Sequence, residues 1–294
     1  MPVALRNDAD IGVFESADRV DRAQSFHVAF ETHYITVSSR VPQVSERLMS
    51  RVEPMLTTLP QSTQIGYFNV TPSDHGVIIE GSDSLGCEHV LGWEAAAASL
   101  YHRVLKQLIN ARQDLLWMHA GVVARADQAV IVAGPSGHGK STMVAEFLAR
   151  GWTYLSDEIA PIDPVGCNVL PFPLWPYRRV GANKYLAADE VQQLSKIRVG
   201  LRQHAVRRDA VAIEALYFLD YSPRPSLSRL IPCSPGAAVV ELLRNSLNPG
   251  EARDEEIRRL CGLVGRVRTA FLYYSDAADA ARKIIGAQHE LLAV

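Results

Sequence analysis

The decapeptide AGPSGHGKST at residues 133–142 constrains the fold more than any other stretch of this chain. It follows the apolar run QAVIV and precedes the stretch KSTMVAEFLAR, which has the apolar spacing of a helix. The phosphate-loop pattern G-x-x-x-x-G-K-[ST] is matched by Gly134, Gly139, Lys140 and Ser141. That pattern needs a buried strand before the loop and a helix after it, and both are predicted here. The sequence therefore predicts an α/β protein built around a phosphate loop.

The residue types of this loop suit the binding of a nucleotide. Glycine lets backbone N–H groups converge on phosphate oxygens because it has no Cβ, and the helix N-terminus adds a partial positive charge there. Lys140 is predicted to reach the β- and γ-phosphates, and the Ser141 hydroxyl to ligate Mg²⁺. The predicted cofactors are thus ATP and Mg²⁺, although the pattern leaves the base unspecified. The predicted binding residues are Gly134, Pro135, Ser136, Gly137, His138, Gly139, Lys140, Ser141 and Thr142. The alternative is a glycine turn that only caps a helix.

A pair of acids, Asp157 and Glu158, follows the next predicted strand, WTYLS. A helix over residues 140–150 descends about 16 Å at about 1.5 Å per residue. The strand then climbs back by about the same distance at roughly 3.3 Å per residue. This round trip predicts that both acids lie level with the phosphate loop, where they would serve a metal ion. The alternative is a solvated strand end.

Two histidines lie near the loop in sequence or in the predicted pairing. A hairpin turn centred near Ala126 places His119 opposite Ala133, at the loop end of the sheet, where it could contact phosphate or orient a carboxylate. A histidine beside apolar residues can equally be structural. His138 occupies a position that the loop pattern leaves free.

The remaining sequence predicts two units, at residues 1–112 and 113–294. Residues 1–24 are polar and predicted to be loosely packed. The first unit is predicted to be α+β and contains no recognisable catalytic pattern. Its elements are strands within 26–39, 64–70 and 76–81 and a helix over 93–114, whose apolar stripe includes Leu100, Val104 and Leu108. In the second unit, strands are predicted at 115–124, 128–134, 152–158, 214–220 and 267–274, and helices at 140–150, 235–246, 252–265 and 276–292.

Composition limits the classes of partner and compartment. The formal net charge of −2 gives no electrostatic reason to expect nucleic acid or an anionic membrane as partner. The four cysteines are widely spaced, with no C-x-x-C pair, which favours reduced thiols. No basic segment followed by an apolar run opens the sequence, and no apolar stretch is long enough to span a bilayer. A cytoplasmic location is therefore expected.

The run MHAGVVARADQAVIVAGPSGHGKSTMVAEFLARGWTYLSDEIAPID at residues 118–163 resembles the catalytic core of the HPr serine kinase/phosphorylase family. It is more similar still to HPr-kinase-like enzymes encoded with peptide-modifying systems, including those that phosphorylate lasso peptides. The shared features are a His-containing strand, a hairpin, the phosphate loop, a short helix ending in Arg-Gly, and a paired acid. The resemblance implies a P-loop kinase core of the HPr kinase/PEP carboxykinase type, joined to a small N-terminal α+β domain.

The resemblance also implies roles for individual residues. Asp157 would be the catalytic acid/base that takes the proton of the acceptor hydroxyl. Glu158 stands where the HPr kinases have a second Asp and would help to hold the metal, together with Ser141 and Asp157. Lys140 would neutralise developing charge, and His119 matches a histidine of the family's active site. A homo-oligomer is the assembly that the resemblance implies.

The sequence departs from the family downstream of the paired acid. No copy of the second HPr-kinase signature, the stretch that the family links to the reverse, phosphorolytic reaction, is found, so the resemblance implies neither that reaction nor HPr as substrate. Instead, the segment 171–185 is rich in proline, aromatic and basic residues. Between Pro176 and Arg208 the sequence contains eight Lys or Arg residues and only two acidic residues. They form either a solvated surface or a substrate-binding lip, in which Arg178, Arg179 or Lys184 would reach the γ-phosphate or an acidic peptide.

These patterns favour an ATP-dependent kinase that acts on a hydroxyl, with a serine of a peptide or protein as the acceptor. A small-molecule hydroxyl is an alternative within the same class. A different class is a nucleotide-binding switch or ATPase module in which the acids hold only Mg²⁺ and water. A phosphorylase running the reverse reaction is a third reading. The destination of the γ-phosphate distinguishes these functions.

Overall fold

A computed structural model describes residues 23–58, 63–175, 206–224, 226–248 and 253–289. In these ranges the chain is a mixed α/β protein with two β-sheets and six α-helices. The predicted α/β class is confirmed in this form. Every helix within the described ranges is too short or too polar to cross a bilayer.

The first sheet contains six strands. Its spatial order is β3-β1-β2-β4-β5-β6, and the β2–β4 pair is parallel whereas the other pairs are antiparallel. The elements in chain order are β1 (Gln24–Phe30), β2 (His33–Ser39), α1 (Pro42–Val52), a 3-10 turn (Glu53–Met55), β3 (Leu56–Thr57), β4 (Thr63–Ser73), β5 (Gly76–Gly81), β6 (Cys87–Val90) and α2 (Trp93–Ala111).

Both helices of this region pack on the first sheet. The predicted stripe of α2 is confirmed, since Leu100, Val104 and Leu108 are fully buried. Helix α1 was not predicted, although Val44, Leu48 and Val52 repeat every four residues and a proline opens it. These residues share one apolar core with the sheet strands.

The second sheet contains nine strands, and the other four helices pack on it. Its main path is β10-β8-β9-β13-β12-β11-β7, and β15 pairs with both β13 and β14. The strands are β7 (Leu116–Met118), β8 (Ala120–Arg125), β9 (Gln128–Ala133), β10 (Thr153–Ser156), β11 (Ala160–Asp163), β12 (Asn168–Val169), β13 (Val211–Tyr221), β14 (Arg229–Pro232) and β15 (Arg268–Tyr274). The helices are α3 (Lys140–Leu148), α4 (Pro235–Arg244), α5 (Arg253–Val264) and α6 (Ala277–His289).

Four strands of this sheet end at the same edge. Strand β13 runs parallel to β9 and to β15, whereas β8 runs antiparallel to both β9 and β10. The carboxyl ends of β9, β10, β13 and β15 therefore point the same way, and β8 begins at that edge. Helices α3 and α6 pack on one face of the sheet, and α4 and α5 on the other.

Two long segments of the chain, 116–125 and 153–163, run antiparallel to each other. They pair through β8 with β10 and through β7 with β11, in the registers Val122 to Ser156 and Met118 to Ala160. Between these pairs the ladder is interrupted. Continuing either register across the interruption puts Gly121 opposite Asp157, beside the phosphate loop.

The apolar core of the first sheet extends into the second predicted unit. The rings of Phe30, Trp117 and Phe172 contact one another, with centroids 5.0–5.6 Å apart. Ile159 and Leu174 belong to the same core. The predicted boundary near residue 112 thus lies at the end of α2, but the buried contacts of the first sheet continue past it.

Candidate functional site

The phosphate loop connects β9 to α3 and is built on three glycines with positive φ. Gly137 and Gly139 have φ angles of 88° and 78°, in the left-handed region that disfavours other residues. A Cβ at Gly134 would lie 2.9 Å from the carbonyl oxygen of Leu219, and one at Gly139 would lie 2.3 Å from Tyr274 Oη. The backbone therefore favours glycine at all three positions, and the neighbouring strands β13 and β15 require it at Gly134 and Gly139.

Lys140 lies at the first position of α3 with its side chain turned back over the loop. Its Nζ donates hydrogen bonds to the carbonyl oxygens of Gly134, at 2.7 Å, and Pro135, at 3.2 Å. Only 7% of the residue is exposed. A buried ammonium held inside the loop places a positive charge where the pattern predicts phosphate oxygens.

The middle of the loop is attached to the ends of β13 and β15. The Tyr274 hydroxyl donates to the carbonyl oxygen of His138 at 2.7 Å. The backbone N–H of Tyr221 donates to His138 Nδ1 at 3.4 Å, and the Asp220 carboxylate lies 3.8 Å from the same nitrogen. His138, which the sequence pattern left free, thus connects the loop to both strands.

Asp157 follows β10 directly and lies beside the start of α3. It is 8% exposed, and the Ser141 side chain lies close enough to lower its pKa. A Cβ built on Gly121 would stand 3.8 Å from Asp157 Oδ1, so a glycine here leaves room for the carboxylate. Asp157 Oδ1 is buried and has no hydrogen-bond partner among the described residues. The predicted return of Asp157 to the level of the loop is confirmed.

Burial raises the pKa of Asp157 to about 7. The negative charge of Glu158 acts in the same direction. The Ser141 side chain and the charges of Lys140 and Arg51 lower this pKa, but they do not compensate for the loss of solvent. A carboxyl group with a pKa near neutrality can both accept and release a proton under physiological conditions.

Glu158 contacts the first region of the chain. Its Oε2 accepts hydrogen bonds from Arg51 at 2.6 Å and from the Tyr101 hydroxyl at 2.9 Å. Its side chain is 32% exposed. The carboxylate predicted to help hold the metal is therefore bound to an arginine of α1 and a tyrosine of α2.

Arg51 is the centre of a buried polar network at this junction. Its guanidinium donates to the Tyr101 hydroxyl at 2.6 Å and lies 4.7 Å from the centroid of that ring. Its backbone carbonyl accepts the N–H of Trp175, whose indole donates to Glu53 at 2.9 Å. The charge of Arg51 also reaches Asp157. The first region thus contributes to the surroundings of the predicted catalytic acid.

His119 interrupts the extended segment between β7 and β8 and is partly exposed. The pairing puts Ala120 rather than His119 opposite Ala133, so the predicted register is one residue off. The physical reason is a two-residue turn, Ala126–Asp127, in which Ala126 has a φ of 53°. His119 still lies at the edge where the loop begins, and its N–H donates to the carbonyl oxygen of Asn245 at 2.7 Å.

The donor set fits Mg²⁺ bound together with phosphates. The described residues contain no group of three His, Cys, Asp or Glu side chains that could hold a metal alone. Mg²⁺ on nucleotides needs only one or two protein oxygens because phosphates and water supply the rest. The Ser141 hydroxyl and the buried, unpartnered oxygen of Asp157 meet that requirement.

The sequence predictions and the structure differ in which residues they bring together. The loop, Lys140, Ser141 and Asp157 lie together, whereas Glu158 faces Arg51 and Tyr101. Arg178, Arg179 and Lys184 lie outside the described residues. Four residues near the site were missed: Arg51, Tyr101, Tyr221 and Tyr274. The two at strand ends could have been found, since Tyr274 closes the strand predicted at 267–274 and Tyr221 directly follows the strand predicted at 214–220.

Comparison with known proteins adds no family to this description. No protein-family model matches the chain, and no protein of curated function matches its sequence.

Proposed function

We propose that this protein is an ATP-dependent kinase that transfers the γ-phosphate to a hydroxyl, with a serine of a peptide or protein as the acceptor. The observation that supports it best is Asp157, a buried carboxyl with an unpartnered oxygen, beside Ser141 of a phosphate-loop motif. A loop that only capped a helix would not need a buried ammonium and a buried acid at the same place.

Asp157 is suited to act as the general base. Because its pKa is raised to about 7, a sizeable fraction is ionised at neutral pH and yet binds a proton readily. One oxygen would accept the proton of the acceptor hydroxyl while the new oxygen–phosphorus bond forms and the bond to the β-phosphate oxygen breaks. ADP would then leave as the other product.

The remaining residues would position the phosphates. Lys140 and the loop N–H groups would stabilise charge on the transferred phosphoryl group. Mg²⁺, held by Ser141 and Asp157, would neutralise phosphate charge. Glu158 would act through its bonds to Arg51 and Tyr101, which hold the segment that follows Asp157. His119, at the same edge, is a further candidate for contact with phosphate.

The test follows the γ-phosphate of labelled ATP. The purified protein is incubated with Mg²⁺, labelled ATP and either an extract of the source cells or peptides encoded beside the gene. Label on a peptide or protein, reduced at least a hundredfold by Asp157→Asn, is the expected result. Asp127→Asn is the matched control, because Asp127 is an exposed acid at the far end of the β8–β9 hairpin.

Two outcomes would contradict the kinase proposal. Label released only as inorganic phosphate, equally by the wild type and Asp157→Asn, would indicate a nucleotide-binding module. Normal ATP binding by Lys140→Ala would mean that the loop is not part of the nucleotide-binding site. Lys106→Ala, an exposed lysine of α2, is the control for that second variant.

A further inference from the structure

We infer that the ring of Tyr221 is the surface on which the nucleobase stacks. This inference rests on the proposed binding of ATP and adds the part of the site that would hold the base.

The two sides of the loop offer different chemistry. On the β8 and β10 side lie Asp157 and Gly121, together with the first turn of α3. The phosphate to be transferred belongs on that side, next to the acid. A triphosphate threaded through the loop leaves it at the opposite side, where β13 and β15 end. The nucleoside is therefore expected near the carboxyl ends of these two strands.

Tyr221 offers an exposed aromatic ring at that place. It is the last residue of β13, and 41% of it is exposed. Among the described residues, three aromatic side chains belong to residues that are about 40% exposed. Two of them, Tyr67 and Trp93, lie in the first region, and the third is Tyr221. Tyr221 is thus the one exposed aromatic ring that the described part of the second sheet offers.

The ring of Tyr221 is held in place relative to the loop. It makes an edge contact with Tyr274, with ring centroids 5.5 Å apart. Tyr274 is buried, and its hydroxyl binds the loop carbonyl of His138. The N–H of Tyr221 itself donates to the imidazole of His138. A ring fixed in this way loses little conformational freedom when a base stacks on it.

Stacking of a base on an aromatic ring depends on the π-face that every base has, so it discriminates poorly between bases. We therefore expect Tyr221 to strengthen the binding of ATP and GTP to similar extents. The tyrosine hydroxyl is not needed for this contact, and phenylalanine should replace tyrosine without loss.

The experiment compares a nucleotide with its phosphate chain alone. Binding of Mg-ATP, Mg-GTP and Mg-tripolyphosphate is measured by calorimetry for the wild type, Tyr221→Ala and Tyr221→Phe. Tyr67→Ala is the matched control, because Tyr67 is equally exposed but lies on β4 of the first sheet. Tyr221→Ala should weaken both nucleotides about tenfold or more and leave tripolyphosphate unchanged. Tyr221→Phe and Tyr67→Ala should behave like the wild type.

The possible failures are distinguishable. Unchanged ATP binding by Tyr221→Ala, or an equal loss for ATP and tripolyphosphate, would overturn the stacking role while leaving the phosphate loop in place. A wild-type protein that binds neither ATP nor tripolyphosphate would overturn the proposed function and this inference together.

Discussion

Asp83, in the first sheet, and Asp157, in the second, are acids in comparable positions with opposite surroundings. Each lies just after a strand, β5 or β10, in a short turn. Both oxygens of Asp83 accept hydrogen bonds from Arg103, at 2.5 and 2.8 Å. This pairing lowers the pKa of Asp83, whereas burial raises the pKa of Asp157 to about 7.

The difference separates a carboxylate that stabilises the fold from one available for chemistry. Arg103 also donates to the carbonyl oxygens of Ile79 and Gly86, so the turn around Asp83 is closed by a fully bonded side chain. Asp157 keeps an unbonded oxygen in a buried place. Titratable groups with strongly shifted pKa values and spare bonding capacity cluster at functional sites.

Glu158 extends the comparison, because it is adjacent to Asp157 in sequence but, like Asp83, accepts hydrogen bonds from an arginine. Arg51 and Tyr101 both donate to its Oε2. Of two adjacent acids, one is therefore bound by partners from the first region, and the other is left for a ligand.

The largest effect is expected from Arg103→Ala. Arg103 is 4% exposed, and its removal takes the ion pair from Asp83 and one donor from each of the carbonyl groups of Ile79 and Gly86. The free energy of unfolding should fall by about 3–5 kcal/mol, as for other broken buried pairs. Urea unfolding measures this, with Arg258→Ala as the control, since the exposed pair of Arg258 with Glu255 should contribute under about 1 kcal/mol. A loss of less than about 1 kcal/mol for Arg103→Ala would contradict the structural role proposed for the pair of Arg103 with Asp83.

The next effect is on the pH dependence of the free energy of unfolding, and it has opposite signs for Asp157 and Asp83. The pKa of Asp157 is higher in the folded protein than in the unfolded chain. The stability that protonated Asp157 contributes is therefore fully present below about pH 4 and is lost as pH rises through about 7. Without metal, Asp157→Asn should then be more stable than the wild type at pH 8, by up to about 4 kcal/mol. Below pH 4 the two proteins should agree.

Urea unfolding in the presence of a chelator, repeated from pH 4 to pH 8, measures this effect, and Asp127→Asn should leave the pH dependence unchanged. Asp83 gives the reverse sign. Its folded pKa is lowered, so its stabilisation is present above the unfolded value and is lost as pH falls through the folded pKa. A difference in stability between the wild type and Asp157→Asn that stays constant from pH 4 to pH 8 would contradict the assignment of Asp157.

The smallest effect is expected from Tyr101→Phe. The variant removes one hydrogen bond to Glu158 and one from Arg51, but the direct bond between Arg51 and Glu158 at 2.6 Å remains. We expect a loss of about 1 kcal/mol in stability and unchanged binding of Mg-ATP. Tyr34→Phe is the control, since the Tyr34 hydroxyl makes one exposed bond of 3.4 Å. Loss of ATP binding by Tyr101→Phe would mean that Glu158 belongs to the nucleotide site and differs from Asp83.

Local geometry explains what could be predicted from the sequence. The strand, loop, helix and returning strand around Lys140 are consecutive, so rises per residue suffice to bring Asp157 back to Ser141. The same holds for the helix predicted over 93–114, which ends at Ala111, and for the strands predicted at 214–220 and 267–274, which end at Tyr221 and Tyr274. The one-residue error at His119 came from the length of the Ala126–Asp127 turn, which the rise per residue does not specify.

The orientation of Glu158 could not be predicted in this way. Its partners Arg51 and Tyr101 are 107 and 57 residues away in sequence and lie in a region without a catalytic pattern. Only the packing of the first sheet on Trp117, Ile159 and Phe172 brings them to the site. Helix α1, which carries Arg51, was itself missed, so its contribution could not be anticipated.

Asp157 and Glu158, which lie in the interruption between β10 and β11, have partners at very different distances along the chain, and this bears on the order in which the site assembles. Asp157 and Ser141 are 16 residues apart in the sequence, whereas Arg51 and Glu158 are separated by 107. Closing the longer loop costs about 1.7 kcal/mol more in chain entropy. On loop-closure entropy alone, we expect the contact between the acid and the phosphate loop to form before the contact between Arg51 and Glu158. The arginine from α1 is added to an arrangement that local chain connectivity has already favoured.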